Sequence, residues 1–382
     1  MGLGKDMGIY IAGCGMTRFC RSDETLDNLM TEAAIKALST IEGKARNPKA
    51  LVVSAMNPQE ITGDDNMATM LADGLGLSSI AAFRIENAPA SGSSALHQAV
   101  FFVLSGIYDP VLVVGGEKMT GMNTQAISKL IAKLTPEEER SLGITMPALV
   151  AMMTHRYMHK YKLSREELSR IPVKSHDLGA LNPLAHFQKK ITFTDVLQSP
   201  VISDPLRLYD CAPISDGAAA VVVTSEKTAV EIAGLGHGAD TLYYQHRDTL
   251  SSFPATTMAA KHAYAMARLS PEDVDVVETH DAFSILELVN CEDLGLFEKG
   301  NSIDALKEGA TGLSGSLPVN PSGGLKSKGH PVGATGIAQV CEIYWQLTGQ
   351  AGKRQVEDPT IGMAHNIGGF GNNAVVTVLK AV

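Results

Sequence analysis

The order of strands and helices restricts this chain more than any other feature, because one order occurs twice. Short apolar strands at 9–12, 51–55 and 81–86 alternate with amphipathic helices, and a loop then leads into a helix at 93–104. After residue 239 a similar series ends in a glycine-rich loop, a helix and two strands. Such alternation predicts a largely parallel sheet with helices on its faces. An internal duplication of one mixed α/β unit explains the repetition.

The segment between the two units has a different character. Residues 117–204 carry helical patterns, many charges and no strong strand. We therefore predict an inserted loop domain at 117–204, between an N-terminal half formed by 1–116 and 205–238 and a C-terminal half at 239–382. A strand at 242–245 is predicted to open the C-terminal half.

Composition excludes several classes of protein. Lys and Arg number 32 and Asp and Glu 41, so the net charge is −9 and no uniformly basic surface is available for nucleic acid. The five cysteines are scattered without a CxxC pair, which argues against a disulfide framework and suits a reducing, cytoplasmic compartment. No apolar run approaches the roughly 18 residues of a membrane span. We expect no membrane segment, no export signal and no bound metal.

Three loops combine polar side chains with glycines, which let a ligand approach the backbone closely. These loops are 279–283, 322–336 and 365–371. His280 and His330 lie in the first two, and an imidazole exchanges protons near neutral pH. A purely structural interpretation exists as well, because Asp281 can cap the next helix and His330 precedes a proline at a helix start. The combination of loops favours a catalytic site built from the two histidines.

The motifs in these loops resemble those of the thiolase superfamily, and within it the sterol-carrier-protein-2-type and archaeal thiolases. The matching stretches are VVGGEKM at 113–119, PLAHF at 183–187, DCAPISDGAAAVVV at 210–223, HDAF at 280–283, SGGLKSKGHPVGATG at 322–336 and HNIGGFG at 365–371. The resemblance covers essentially the whole chain. It implies the α/β thiolase fold, with five layers αβαβα, and a homodimer. It also implies an acyl-CoA substrate and no bound cofactor, so that coenzyme A enters only as part of the substrate.

The resemblance also assigns roles to individual residues. His330 matches the histidine that activates the nucleophile and moves protons, and His280 matches the position that, with a water, holds a thioester oxygen. Asn366 and Gly369 match the loop that lines the site. Coenzyme A contacts are predicted at four residues of the glycine-rich loop: Ser322, Gly323, Lys326 and Lys328. The two lysines fit a solvated turn equally well.

The nucleophile position departs from the family pattern. Relatives have a cysteine in ACASG or NCATG where residues 88–92 of this chain read APASG, so that Pro89 replaces it. Proline has neither a thiol nor a backbone N–H, so the acyl carrier and one donor of the second oxyanion hole are both lost. Ala282 also replaces a cysteine that sterol-carrier-type relatives often have. Ser91 and Ser93 are less favoured as substitute nucleophiles.

Three functions remain open at this stage. The first is cleavage or formation of a carbon-carbon bond next to a CoA thioester, through an enolate held by His280 with His330 as the base. The reaction resembles that of thiolase-like aldolases that cut steroid side chains. Those enzymes work with a small partner that has an OB fold and a zinc ribbon. The second is an acyl-CoA C-acyltransferase with a non-standard nucleophile. The third is a catalytically inactive subunit that scaffolds a partner.

Overall fold

The structure, a computed structural model, describes residues 8–77 and 79–382. Residues 1–7, which begin the predicted N-terminal half, and residue 78 lie outside the described part. The strands are β1 (Tyr10–Met16), β2 (Ala50–Ser54), β3 (Ala81–Ile85), β4 (Val111–Lys118), β5 (Val201–Ser203), β6 (Leu206–Arg207), β7 (Asp216–Thr224), β8 (Val230–Ala239), β9 (Val276–Glu278), β10 (Ile361–Gly368) and β11 (Asn373–Ala381).

Helices of very different length connect these strands. They are α1 (Leu26–Ser39), α2 (Pro58–Thr62), α3 (Met67–Gly74), α4 (Ser91–Leu104), α5 (Thr124–Ala132), α6 (Glu137–Ser141), α7 (Met146–Tyr161), α8 (Arg165–Leu168), α9 (Arg170–Gly179), α10 (Phe193–Gln198), α11 (Pro254–Ala267), α12 (Ser284–Asp293), α13 (Ser302–Lys307), α14 (Gly324–Lys328) and α15 (Val332–Leu347).

Nine of the strands form one mixed sheet in the order β3-β2-β4-β7-β1-β8-β11-β10-β9. β2 runs parallel to β3 and β4, and β9 runs parallel to β10, whereas the central neighbours are antiparallel. Tyr10 and Ile11 of β1 pair with both β7 and β8, and β8 pairs in turn with β11, so that β8 joins the N-terminal strands to those of the C-terminal half.

The helices complete five layers. α4 and α15 pack against each other in the centre, and their apolar residues contact strands of both halves. α1 and α3 cover the outer face of the N-terminal strands, while α11 and α12 lie in the cluster on the outer face of the C-terminal strands. This arrangement confirms the predicted αβαβα fold. The division into three segments at the stated boundaries stays a prediction.

The predicted strand at 242–245 is wrong. The strand that opens this part of the sheet is β8, and residues 244–246 form a short 3-10 helix instead. The inward face of β8 carries Gly234, Gly236 and Gly238, which lie against the backbone of α11 at Ala263, Ala259 and Ala255. Because this buried face has no large side chains, it lacks the apolar alternation by which a strand is recognised.

The third predicted loop is also corrected in part, because β10 continues through Gly368. His365 and Asn366 therefore lie on a buried strand, which fixes their side chains more firmly than a loop would. The helical patterns predicted in the segment 117–204 form helices, among them α5, α7 and α9, and the short β5–β6 hairpin at its end is an addition. Among the helices of the described residues, none has both the length and the apolar character that crossing a membrane requires.

Candidate active site

His280 follows β9, where the chain turns toward α12. The side chain of Asn290 donates to the His280 carbonyl at 2.8 Å, and the backbone N–H of Thr279 donates to Asn320 Oδ1 at 2.8 Å. His280 itself is only 3% exposed. These contacts hold the backbone at His280 in a defined position just after the carboxyl end of β9, the last strand in the sheet order.

The structure brings His330 next to His280. His330 lies between α14 and α15, and the two ring centroids are 4.9 Å apart with the planes at 88°. His330 Nδ1 is 2.7 Å from the hydroxyl of Thr335, and that hydroxyl is 2.9 Å from the Pro331 carbonyl. Two residues from distant parts of the chain thus form one pair.

Burial keeps both rings uncharged near neutral pH. It lowers the pKa of His280 to about 3, with a smaller effect from His365, and it lowers the pKa of His330 well below its ordinary value, with a further effect from His280. A neutral imidazole donates from one nitrogen and accepts at the other. The pair can therefore supply one base and one hydrogen-bond donor.

Asn366 is the residue of the third predicted loop that reaches His280. Its Nδ2 is 2.9 Å from His280 Nδ1 and 3.1 Å from Gln339 Oε1. Gly369 lies three residues further on, in the turn after β10, where its φ of 59° suits glycine. The sequence predicted Asn366 but missed Gln339, because a lone glutamine in an apolar helix carries no motif of its own.

Pro89 lies in a tight turn before α4. The N–H of Ala90 donates to the Asn87 carbonyl at 3.0 Å, and Ala88 has a φ of 51°. Pro89 is buried. A Cβ added at Gly92 would lie 3.0 Å from the backbone nitrogen of Ile337 in α15, so the start of α4 touches the helix that follows His330.

The same turn contacts the strand that carries Asn366. A Cβ added at Gly368 would lie 2.8 Å from the Asn87 carbonyl oxygen. The turn with Pro89 therefore packs between the first turn of α15 and the end of β10. Pro89 thus borders the elements that hold the histidine pair.

The predicted coenzyme A contacts of the glycine-rich loop need correction. Lys326 and Lys328 are each 1% exposed. Lys326 forms an ion pair with Asp281, and Lys328 forms one with Glu278 at 3.0 Å. These enclosed ammonium groups are not available to a phosphate, because a buried charge needs its partner. Their burial also excludes the solvated turn. These ion pairs tie the loop before His330 to the residues on either side of Thr279 and His280.

Ser322 and Gly323 are buried in the same network. The hydroxyl of Ser322 donates to Glu278 Oε2 at 2.7 Å, and Gly323 packs against the backbone of Gly179. Both residues hold the loop in place, and their contact with coenzyme A stays a prediction.

Glu117 is a buried residue within the stretch VVGGEKM, and its role was not predicted from the sequence. Its carboxylate accepts from the N–H groups of Met56 at 2.7 Å, Asn57 at 3.1 Å and Gly333 at 3.1 Å. Burial raises the pKa of Glu117 to about 7, although the three N–H groups oppose this shift. Glu117 therefore joins the N-terminal half to the first turn of α15.

The other candidate nucleophiles are enclosed. Ser91 is fully buried, and its hydroxyl donates to the Ala88 carbonyl at 2.6 Å and accepts from the Asn87 N–H at 2.8 Å. Ser93 is 2% exposed, and burial raises the pKa of the Cys211 thiol to about 12. Within residues 8–77 and 79–382, no three His, Cys, Asp or Glu side chains converge as metal ligands.

Comparison with known proteins agrees with this architecture. The model of the thiolase N-terminal domain matches residues 9–227, and the model of the thiolase C-terminal domain-like family matches residues 236–381. The acetyl-CoA acetyltransferase of Methanothermobacter thermautotrophicus is 40% identical over 381 residues, which cover 97% of this chain and 99% of the relative. Sterol carrier protein 2 of Homo sapiens is 33% identical over 398 residues, which cover 97% of this chain and 72% of the relative.

Two solved structures are also similar. The Ltp2-ChsH2(DUF35) aldolase has a TM-score of 0.84 at 24% identity, and human mitochondrial 3-ketoacyl-CoA thiolase in complex with CoA has a TM-score of 0.75 at 18% identity. Each match covers 98% of both chains. The five layers and these likenesses define a protein of the thiolase fold. With the two family models and the relatives above 30% identity, the chain belongs to the thiolase family.

Proposed function

We propose that this chain is an enzyme that makes or breaks the carbon-carbon bond next to an acyl-CoA thioester, through an enolate and without an acyl-enzyme. The observation that carries the proposal is the intact pair of His280 and His330 beside a turn in which Pro89 supplies neither a thiol nor an N–H. Acid-base chemistry on a thioester needs the pair. Acyl transfer through residue 89 would need a thiol, which proline lacks.

In the direction of cleavage, the substrate is a β-hydroxyacyl-CoA. His330 takes the proton of the β-hydroxyl group, the oxygen lone pair forms a carbonyl, and the bond between Cα and Cβ breaks. Its electron pair becomes the thioester enolate, whose oxygen accepts a hydrogen bond from His280. The proton on His330 then returns to Cα. The products are a ketone or aldehyde and a shorter acyl-CoA, and no water or redox partner is consumed.

The contact with Thr335 supports the role of His330 as the base. The Pro331 carbonyl can only accept, so the Thr335 hydroxyl donates to it and accepts from the Nδ1–H of His330. In a neutral ring this leaves Nε2 with a free lone pair. The lowered pKa of His330 keeps that lone pair available near neutral pH.

A second candidate is acyl transfer, because the Methanothermobacter relative is an acetyl-CoA acetyltransferase. It would require a nucleophile other than residue 89. The enclosed Ser91 and Ser93 and the raised pKa of Cys211 oppose it.

Incubation with β-hydroxyacyl-CoA and β-ketoacyl-CoA esters tests the proposal, with products and intact protein followed by mass spectrometry. We expect release of a ketone or aldehyde together with a shorter acyl-CoA, and unmodified protein. An acyl group on Ser91, Ser93 or any cysteine would replace the aldol-type proposal by acyl transfer. A lack of turnover with every ester, alone and with a partner, would leave the inactive subunit as the remaining function.

We place the acyl-CoA between the residues around His280, the loop of His330, the end of β10 and the segment 117–204. Isothermal calorimetry with a CoA ester should detect binding. A scan of esters without measurable heat, repeated with any partner present, would refute this placement.

Five cysteines without disulfides suit the cytoplasmic location expected from the sequence.

We also propose a homodimer that forms through β3. β3 is the first strand of the sheet order, so one of its edges has no neighbour within the described chain. Unpaired strand edges favour pairing with a second copy. Static light scattering at micromolar concentration should give twice the mass of one chain, and a monomeric mass would count against the proposal.

A small partner protein is a further part of this proposal. The solved Ltp2-ChsH2(DUF35) aldolase includes a DUF35 component, and its fold agrees with that of this chain. We therefore propose a partner with an OB fold and a zinc ribbon. Co-expression with such a protein should give a joint peak in size-exclusion chromatography and a higher rate of cleavage, and separate elution with an unchanged rate would exclude it.

A further inference from the structure

We propose that Gln339 on α15 is a positioning residue that decides which nitrogen of His280 carries the hydrogen, and that it acts through Asn366. This inference rests on the proposed function, in which His280 donates to an enolate oxygen, and it explains how that donor is prepared. Gln339 is fully buried, and it is connected to the site through its hydrogen bonds to the His365 carbonyl and to Asn366.

The hydrogen bonds run in one direction from a fixed end. Gln339 Nε2 lies 2.9 Å from the backbone carbonyl oxygen of His365, which can only accept. The amide nitrogen of Gln339 must therefore point to that carbonyl, and Gln339 Oε1 must point away from it. Oε1 lies 3.1 Å from Asn366 Nδ2, which donates to it.

The second hydrogen of the same amide group reaches the catalytic ring. Asn366 Nδ2 is 2.9 Å from His280 Nδ1. Since the amide donates, Nδ1 must accept and carries no hydrogen. The ring is neutral, so its hydrogen is on Nε2, the nitrogen that remains for a ligand.

Reversing either amide would create a clash of like groups. A reversed Asn366 would place its oxygen against Gln339 Oε1, and reversing both side chains would place Gln339 Oε1 against the His365 carbonyl. Asn366 Oδ1 is buried without a hydrogen-bond partner among the described residues. The hydrogen bond to Gln339 therefore fixes the orientation of this side chain and directs its amide group at His280.

α15 thereby sets opposite hydrogen positions on the two histidines. Thr335 and Gln339 are four residues apart and so lie on one face of the helix. Thr335 contacts His330 and leaves a lone pair on Nε2, whereas Gln339 acts through Asn366 and leaves a hydrogen on Nε2 of His280. One ring becomes the base and the other the donor.

Nuclear magnetic resonance of protein labelled with 15N in histidine tests the hydrogen position directly. The signals of His280 are identified by their loss in His280→Gln. In the wild type we expect a protonated Nε2 and an unprotonated Nδ1. In Gln339→Leu the amide of Asn366 loses the acceptor that fixed it, and we expect a substantial fraction of His280 with the hydrogen on Nδ1. A ring that stays wholly in the Nε2–H form would overturn the proposal.

Two further variants separate this role from mere packing. In Gln339→Glu, a buried carboxylic acid can donate to the His365 carbonyl and accept from Asn366, so the wild-type hydrogen position should return. Gln346→Leu is the matched control, because Gln346 is a buried glutamine further along α15 that bonds Glu342 and the Arg354 carbonyl. Its loss should leave His280 unchanged. If Gln339→Leu does not fold, Gln339→Met serves in its place, because methionine has an unbranched side chain of the same length as glutamine.

Kinetics give the second readout. With a cleavable ester, Gln339→Leu should lower kcat about 10- to 100-fold with little change in KM, and Gln339→Glu should recover most of it, because one oxyanion donor is typically worth a factor of about 100 or more. If Gln339→Leu shifts the hydrogen to Nδ1 of His280 but changes kcat by less than about twofold, His280 is not the donor in the reaction. That result would count against the proposed function alone. An unshifted hydrogen counts against the role of Gln339 alone.

Discussion

At the scale of single residues, one substitution and one preserved pair point to the same chemistry. Pro89 removes the thiol and the N–H from a turn that otherwise keeps its contacts with α15 and β10. Meanwhile, His280 and His330 keep their mutual contact and their separate neighbours. A chain that had become only a scaffold would have no physical need for two buried, neutral histidines held in different hydrogen-bonding states.

Substitution of either histidine should therefore remove most of the activity. We expect His280→Ala and His330→Ala each to lower kcat by about 10² or more, as for oxyanion donors and general bases. Initial rates of ketone or aldehyde release measure this effect. His262→Ala, at an exposed position on α11, is the control and should keep the wild-type rate. Equal rates in all three variants would remove both histidines from the mechanism.

At the scale of elements, two buried ion pairs hold the loops of the site together. Lys326 bonds Asp281 directly after His280, and Lys328 bonds Glu278 two residues before it. Both pairs connect the loop of His330 to the end of β9. The distance between the histidine rings therefore depends on charges that lie outside the site.

Breaking one of these pairs should destabilise the protein without acting on coenzyme A. We expect Lys326→Met to lower the free energy of unfolding by about 3–5 kcal/mol, because Asp281 would stay buried and unpaired. The double variant Lys326→Met with Asp281→Asn should regain most of this loss, since it leaves no lone charge. Urea denaturation of the two variants and the wild type measures the difference. A stable Lys326→Met protein with a raised KM for the ester would restore the phosphate contact predicted from the sequence.

The sequence predicted most elements but misjudged features that depend on packing. The helix predicted at 93–104 coincides with all but the first two residues of α4, because its apolar residues already mark the buried face. β8 was missed because its inner face is glycine. Lys326 and Lys328 were read as surface residues, since their acidic partners lie more than forty residues away in the chain and only the fold brings them together.

The same reasoning applies to the site. His280, His330 and Asn366 were predicted from motifs, and the structure brings them together. Gln339 and Glu117 act through hydrogen bonds that cross between elements, so no local pattern identifies them.

The contact between β8 and α11 gives a test of the glycine face. A Cβ at Gly236 would collide with the backbone carbonyl of Ala259, and the helix would have to move away. We expect Gly236→Ala to lower the free energy of unfolding by about 1–3 kcal/mol, as overpacking typically does. Gly121→Ala is the control, because nothing lies near its added Cβ. Thermal unfolding of both variants decides the matter, and an equal Tm would show that α11 does not pack this closely.

At the scale of the whole molecule, the site forms where the two halves meet. β8 pairs with β1 on one side and with β11 on the other, and α4 and α15 pack against each other beside this junction. The turn with Pro89 precedes α4, and His330 precedes α15. Neither half alone contains both Pro89 and the histidine pair, so the stability of the junction and the geometry of the site are coupled.

His97 lies at the junction of the two halves, away from the site, and its protonation gives a test of the packing there. It lies on α4, is 5% exposed, and its Nε2 is 3.1 Å from the Thr377 hydroxyl on β11. Burial, with a smaller effect from His237, lowers the pKa of His97 to about 3. The unfolded chain, with a histidine pKa of about 6.5, then binds a proton that the folded chain does not. The contribution of His97 to stability is therefore complete above about pH 6.5 and declines as the pH falls toward 3.

Comparison with His97→Gln isolates this effect from all other titrating groups. The variant keeps a polar side chain near Thr377 but cannot take up a proton. The free energy of unfolding of the wild type relative to the variant should fall by about 1.4 kcal/mol per pH unit below pH 6.5, or roughly 2 kcal/mol between pH 6.5 and 5. Urea denaturation at a series of pH values, at one protein concentration, measures the difference. A difference that stays constant over this range would mean that His97 is protonated within the folded protein, and that the junction between α4 and β11 admits water.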